Sequence, residues 1–178
     1  MVEEETLVLQ LKQKESKAFE MLVNAYKVRL YWHIRRIVLD HDDTDDVLQN
    51  TFIKVFRNID GFKGESKLYS WMYRIATNEA LGFLKSRSQL QNMDTEELLV
   101  AKIAGLRADV HYDGDEIQIK LQEAIALLPE KQKLVFNMKY FQEMKYAEIS
   151  TILDTSVGGL KASYHLASKK IEAYLKEN

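Results

Sequence analysis

From Leu48 onward, Phe52, Val55, Phe56 and Ile59 recur at intervals of three and four residues. That spacing collects side chains on one face of a helix, whereas a strand would scatter them over both faces. The same period returns in Phe19, Leu22, Val23, Tyr26, Leu30, Ile34, Ile37 and Val38, and again in Leu134, Val135, Met138 and Phe141. Nowhere does an alternating β-branched run stand between hairpin turns, and Pro129 is the one proline in 178 residues. The chain is therefore expected to be all-α.

The stretch from Thr44 to Lys85 organises the first half. Thr44 is the expected N-cap of its first helix, with Asp45 and Asp46 in the first turn, where carboxylates suit the helix dipole. The face opposite the apolar stripe carries Asp46, Gln49, Asn50, Ile53 and Arg57. It is polar apart from Ile53, an aliphatic side chain that a solvated face does not need. Asp60-Gly61-Phe62-Lys63-Gly64-Glu65-Ser66 then supplies two glycines in a polar break. The second helix carries Tyr69, Trp71, Tyr73, Arg74 and Asn78, preceded by Lys63 and Lys67. Aromatics interleaved with cations and amides suit unstacked bases, which need a flat apolar surface beside phosphate neutralisation. The alternative for each aromatic is a place in the core.

Composition sets bounds on the rest. A hydrophobic fraction of 46% with 29% charged residues is that of a globular chain, and the absence of cysteine excludes disulfides and thiolate zinc sites. The acidic start Met1-Val2-Glu3-Glu4-Glu5 leads into no long apolar run, so neither a signal peptide nor a membrane span is expected, and a cytoplasmic protein is. Thr6 to Leu11 fits a short amphipathic helix. The net charge of -2 is unevenly spread. Residues 1–86 hold 13 basic and 13 acidic side chains, 87–128 hold 4 and 8, and 129–178 hold 8 and 6. Acid is concentrated in the middle, so the overall charge does not exclude nucleic-acid binding by either end.

Arg29, Arg35 and Arg36 lie off the apolar face of their helix and are expected on the solvated surface. Asp40-His41-Asp42-Asp43-Thr44-Asp45-Asp46 raises a rival reading, a Mg²⁺ site for phosphoryl chemistry built on Asp42, Asp43, Asp45 or Asp46. A facing acidic pair is missing elsewhere in this half, and an acidic helix start is the simpler reading. His33, His41, His111 and His165 are far apart with no ligand spacing, and no nucleophile–base pair is evident; no cofactor is expected.

Residues 87–116 read as a linker. Ser86-Arg87-Ser88-Gln89 and Asp113-Gly114-Asp115 look like loop, with a short helix over Leu98–Leu106. Ile117, Leu121, Ile125 and Leu128 then share a helix face, and Pro129 opens the next helix. Tyr146 to Leu153, a turn at Asp154-Thr155, and a helix capped by Ser156 and running to about Lys176 form a helix-turn-helix pattern. Ile149, Leu153, Val157 and Leu160 are its expected internal contact. Ser156, Gly159, Lys161, Ser163, Tyr164 and His165 would then reach base edges and phosphates.

Two stretches together, DDVLQNTFIKVFRNIDGFKGESKLYSWMYRIATNEALGFLK and ALLPEKQKLVFNMKYFQEMKYAEISTILDTSVGGLKASYHLASKKI, resemble regions two and four of a sigma-70 family member of the extracytoplasmic-function (ECF) group. The likeness covers about Ser16 to Leu175. It implies two small helical domains, 1–86 and 117–178, joined by a linker over 87–116. By the same likeness, Asp46, Gln49, Asn50, Ile53 and Arg57 would dock on the β′ clamp helices of bacterial core RNA polymerase. Phe62, Lys63, Ser66, Lys67, Tyr69, Trp71, Tyr73, Arg74 and Asn78 would open the minus-ten promoter element and hold an everted base. The second domain would read the minus-thirty-five element and meet the polymerase β flap. An anti-sigma factor is the expected inhibitor. The chain departs from the family pattern at Asn50, where glutamate is usual, and at Asp154, where glycine is common. It also has Ser163, Leu166 and Ser168 where arginines often stand. The competing expectation is a helix-turn-helix regulator that does not bind polymerase.

Overall fold

The computed structural model describes residues 2–106 and 115–177, and every element among them is helical. In chain order these are α1 (Val2–Lys12), α2 (Ser16–Val38), α3 (His41–Asn58), α4 (Leu68–Leu90) and α5 (Thr95–Leu106). After the undescribed residues come α6 (Glu116–Ala126), α7 (Glu130–Phe136), α8 (Tyr146–Leu153) and α9 (Val157–Glu177). A 3₁₀ turn at Ile59–Gly61 extends α3, and a π-helical turn at Asn137–Phe141 extends α7. His111, and Asp113 and Gly114 of the expected loop, lie outside the described residues.

Helices α2, α3 and α4 pack around one apolar core. Leu22, Leu30, Ile34 and Ile37 of α2 meet Val47, Val55 and Ile59 on one side and Met72, Ala76 and Ala80 of α4 on the other. The α2–α3 corner is tight. Leu39 takes a left-handed backbone, φ 60°, and returns its N–H to Arg35 O at 2.9 Å. Asp40 then caps α3 by accepting from Asp43 N at 2.9 Å. The expected cap at Thr44 is thus corrected: α3 begins one turn earlier, and Thr44 is fully buried, its hydroxyl donating to Asp40 O. Aspartate is as good a cap as threonine, and Asp40 closes the turn that the left-handed Leu39 opens.

Helix α1 straps the α3–α4 connection. Lys12 Nζ donates to Phe62 O at 2.8 Å, Lys14 Nζ to Phe56 O at 2.9 Å, and Lys14 pairs with Asp60 at 3.1 Å. Lys67, the residue at the N-cap of α4, gives no side-chain cap, and the first turn holds no acid. Glu4 of α1 supplies what is missing by accepting from Leu68 N at 2.9 Å.

Ser86–Gln89 are helical, since α4 continues to Leu90, so the expected loop there is corrected. Ser88 back-bonds to Lys85 O at 2.9 Å, which lets the polar run stay in the helix. Helix α5 is longer than expected because Asp94 and Glu97 form a reciprocal cap: Glu97 N donates to Asp94 at 2.8 Å and Asp94 N to Glu97 at 3.1 Å. Its Leu98, Leu99 and Ile103 are buried, and Lys102 reaches back to Asp43.

In the second half, α6, α7 and α9 enclose a smaller cluster of Ala124, Ile125, Leu128, Phe136, Ala167 and Ile171. Ile117 is 70% exposed, and Ile119 is the buried residue of that turn. The rest of the expected face holds, with Ile125 and Leu128 buried and Leu121 packed against the cluster, and Asp115 caps α6 with its carboxylate on Gln118 N at 2.8 Å. Pro129 occupies the N-cap of α7 rather than its first helical position. Arg35, expected on the surface, is 3% exposed.

Leu30 is fully buried at the centre of α2. Leu30→Ala should cost about 2–5 kcal/mol, the usual range for a large core truncation, read as a lower urea midpoint with an unchanged slope.

Candidate nucleic-acid interface

The outer face of α3 presents Asp46, Gln49, Asn50, Ile53 and Arg57, all exposed. Ile53, at 40%, and Phe56, at 38%, put apolar area beside those polar groups. The acidic run at the start of α3 has other work. Asp43 is nearly buried, tied to Lys102 and 3.6 Å from Arg87, while Asp45 faces His41 at 3.7 Å. Among the described residues no three acidic or histidine side chains cluster as metal ligands. The rival Mg²⁺ reading therefore loses Asp43, whose charge two cations already balance.

The loop and α4 divide their aromatics in two. Phe62 is 5% exposed and Tyr73 is 3%, so both are core in this conformation. Phe62 leans on Trp71 with ring centroids 5.4 Å apart, and Tyr73 packs 4.9 Å from His33. Tyr69 and Trp71 are half-buried. Lys63, Lys67, Arg74 and Asn78 are exposed, and Ser66 is half-buried. Gly64 sits at φ 75°, the left-handed backbone that lets the loop turn toward α4. Between this loop and α1 lies a cavity of about 610 Å³, lined by Glu4, Glu5, Val8, Lys12 and residues 62–67.

Helix α8 lies against α4. Lys67 Nζ stands 3.4 Å from Glu148, Arg74 donates to Thr151 O, and the Tyr69 phenol bonds Glu148. Burial and that carboxylate push Tyr69 up to about 12. Burial pulls the Glu148 carboxyl up, but bonds from Tyr69, Lys145 N–H and Lys67 outweigh it and its pKa is lowered. The guanidinium of Arg36 sits 4.2 Å over the Phe141 ring.

Comparison with known proteins is decisive at this point. Residues 22–89 match the family model for sigma-70 region 2, and residues 118–171 match that for sigma-70 region 4. The ECF RNA polymerase sigma-E factor of Haemophilus influenzae is 30% identical over 95% of this chain and 93% of its own. The chain belongs to the ECF group of the sigma-70 family. Two solved structures share its fold at low identity. One is CnrH in complex with the cytosolic domain of CnrY, with a TM-score of 0.74, 20% identity and 98% of each chain covered. The other is the sigma factor RpoE in complex with the anti-sigma factor NepR from Bartonella quintana, with a TM-score of 0.69, 18% identity, and 90% of this chain and 98% of that one covered.

In this sigma factor the helix-turn-helix forms as the sequence leads one to expect. Asp154 takes the left-handed turn conformation at φ 50°, and Ser156 Oγ accepts from Gly159 N at 3.2 Å to cap α9. Ile149 and Leu160 are fully buried between the helices, whereas Val157 is 38% exposed and contributes less than expected. Ser156, Lys161 and His165 are exposed, and Gly159 and Ser163 are half-buried. Tyr164 stacks on Phe136 at 5.6 Å, with the rings within 15° of parallel, so most of it serves packing.

One residue at the seam was unremarkable in sequence. His33 is buried, its Nδ1 2.8 Å from Gln142 Nε2 and its Nε2 2.8 Å from Thr77 Oγ1. The Gln142 amide nitrogen can only donate, so Nδ1 accepts and Nε2 carries the proton. A histidine inside an apolar helical stripe was the available signal. Burial, then the nearby Arg36 charge, lowers its pKa to about 3. The unfolded chain binds a proton near pH 6.5 and the native one does not, so stability falls as pH drops from about 6.5 toward 3. Urea unfolding should lose about 2 kcal/mol between pH 7 and 5 from this residue, a slope that His33→Asn removes.

Proposed function

We propose that the chain directs core RNA polymerase to specific promoters and helps melt the minus-ten element. Residues 1–86 would form the polymerase-binding and minus-ten domain, 87–116 the linker, and 117–178 the minus-thirty-five domain. One observation carries the reading: a cationic, half-aromatic α4 surface and a capped helix-turn-helix occur in a chain 30% identical along 95% of its length to an ECF sigma-E factor.

Asp46, Gln49, Asn50, Ile53 and Arg57 are the proposed contacts to the β′ clamp helices, with Ile53 as the apolar anchor of a polar patch. Lys63, Ser66, Lys67, Tyr69, Trp71, Arg74 and Asn78 would meet the melted minus-ten strand. The partly exposed rings supply stacking faces and the cations take phosphates. Phe62 and Tyr73 would support those faces from beneath. Ser156, Gly159, Lys161, Ser163 and His165 would meet duplex DNA at the start of α9, with Tyr164 buttressing them. The role is binding and positioning, with the polymerase as catalyst, and its setting is the cytoplasm. The RpoE–NepR complex supports an anti-sigma factor as a further partner.

Core polymerase reconstituted with this chain should give run-off transcripts from a subset of a promoter library. A chain that binds no core enzyme would sink the proposal. Ile53→Asp should weaken polymerase binding about tenfold, the loss typical of an interface anchor. Trp71→Ala should leave polymerase binding intact while cutting promoter opening about tenfold, as loss of one stacking face predicts. Lys161→Ala should reduce the salt slope of minus-thirty-five binding by about 1 in the holoenzyme, one phosphate contact's worth.

A further inference from the structure

We infer that Glu4 selects the everted minus-ten base by requiring an exocyclic amine, an inference that rests on the proposed role of the 62–67 loop. The cavity of about 610 Å³ beside that loop has room for a base with its sugar, and α1 forms one wall. Its apolar wall is Val8, with only the edge of Phe62, 5% exposed and backed by Trp71 at 5.4 Å, at the floor. Lys63 and Lys67 stand exposed on the loop side, where a backbone phosphate would pass.

Glu4 lines this cavity in a fixed position. One carboxylate oxygen accepts from Leu68 N at 2.9 Å, while Lys12 Nζ, two turns along α1, grips Phe62 O at 2.8 Å. Helix and loop are thereby stapled at two points, and the carboxylate cannot swing away without uncapping α4. Its second oxygen has no hydrogen bond among the described residues. A carboxylate only accepts, so it rewards a base edge that donates. Adenine N6, cytosine N4 and guanine N2 are exocyclic amines that can donate to it; thymine has none, and its two carbonyls would face the anion. Glu5 also lines the cavity but holds no such bond to α4. The structure thus assigns base discrimination to a residue of the N-terminal helix, outside the loop itself.

The test uses holoenzyme and single-stranded oligonucleotides of its mapped minus-ten sequence. At each position adenine is replaced by purine, cytosine by 2-pyrimidinone, or guanine by hypoxanthine, which deletes the amine alone. Wild type should lose about five- to hundredfold in affinity at one position. Glu4→Gln, which keeps an oxygen for Leu68 N–H, should lose less than about twofold there. Whether the sensitive position is adenine, cytosine or guanine identifies the base. Wild type indifferent to amine deletion at every position would overturn the inference whatever the variant's stability; so would a full penalty persisting in Glu4→Gln. If Trp71→Ala and Lys67→Ala also bind the oligonucleotides like wild type, the loop is not the minus-ten site at all, and the Glu4 role falls with it.

Discussion

Leu68, Met72, Ala76, Ala80 and Leu84 fall at strict four-residue intervals along α4, and all five are buried. Almost every other placement follows from that stripe. The two alanines let neighbouring backbones approach closely, and α2 and α3 fill the space against them. Because a helix has only so many faces, the remainder of α4 is left to polar and aromatic residues. Tyr69, Trp71, Arg74 and Asn78 each stand one or two residues from a member of that stripe, and residues so spaced point away from its face.

The same economy operates at the start of α4. A helix that begins without its own cap or first-turn acid would leave donors unpaired. Glu4 meets that need from another element, while Lys12 holds the preceding loop by the Phe62 carbonyl and Lys14 holds the last turns of α3 by that of Phe56. An N-terminal segment that reads as an appendage is therefore part of the wall around the loop.

Much of this was legible in the residues. The helical period gave the all-α class, the Ser156 cap and the left-handed Asp154 followed from side-chain chemistry, and the α4 surface stood out by its mixture of rings and cations. The failures share a cause. Thr44 lost the cap to Asp40 because the corner was set by Leu39 at positive φ, a conformation no pattern of leucine announces. Ser86–Gln89 looked like loop on local propensity, yet α4 carries on through them and α5 packs beyond its end. Asp94 and Glu97 did carry a readable capping pattern that marks the true start of α5. The partners of His33 and Glu4 lie 109 and 64 residues away in sequence, and long-range pairs leave no periodic trace.

Lys67 and Arg74 each have one cationic head, and in this arrangement both heads are already engaged by α8, through Glu148 and the carbonyl of Thr151. A head so engaged has part of its donor set and its approach taken up, so a phosphate must share it with α8 or displace that contact. The two halves of the chain and a nucleic-acid strand are therefore competitors for one small set of charges. Added salt would loosen the rivals unequally, since a polyanion feels screening by counterions more steeply than a single internal pair does.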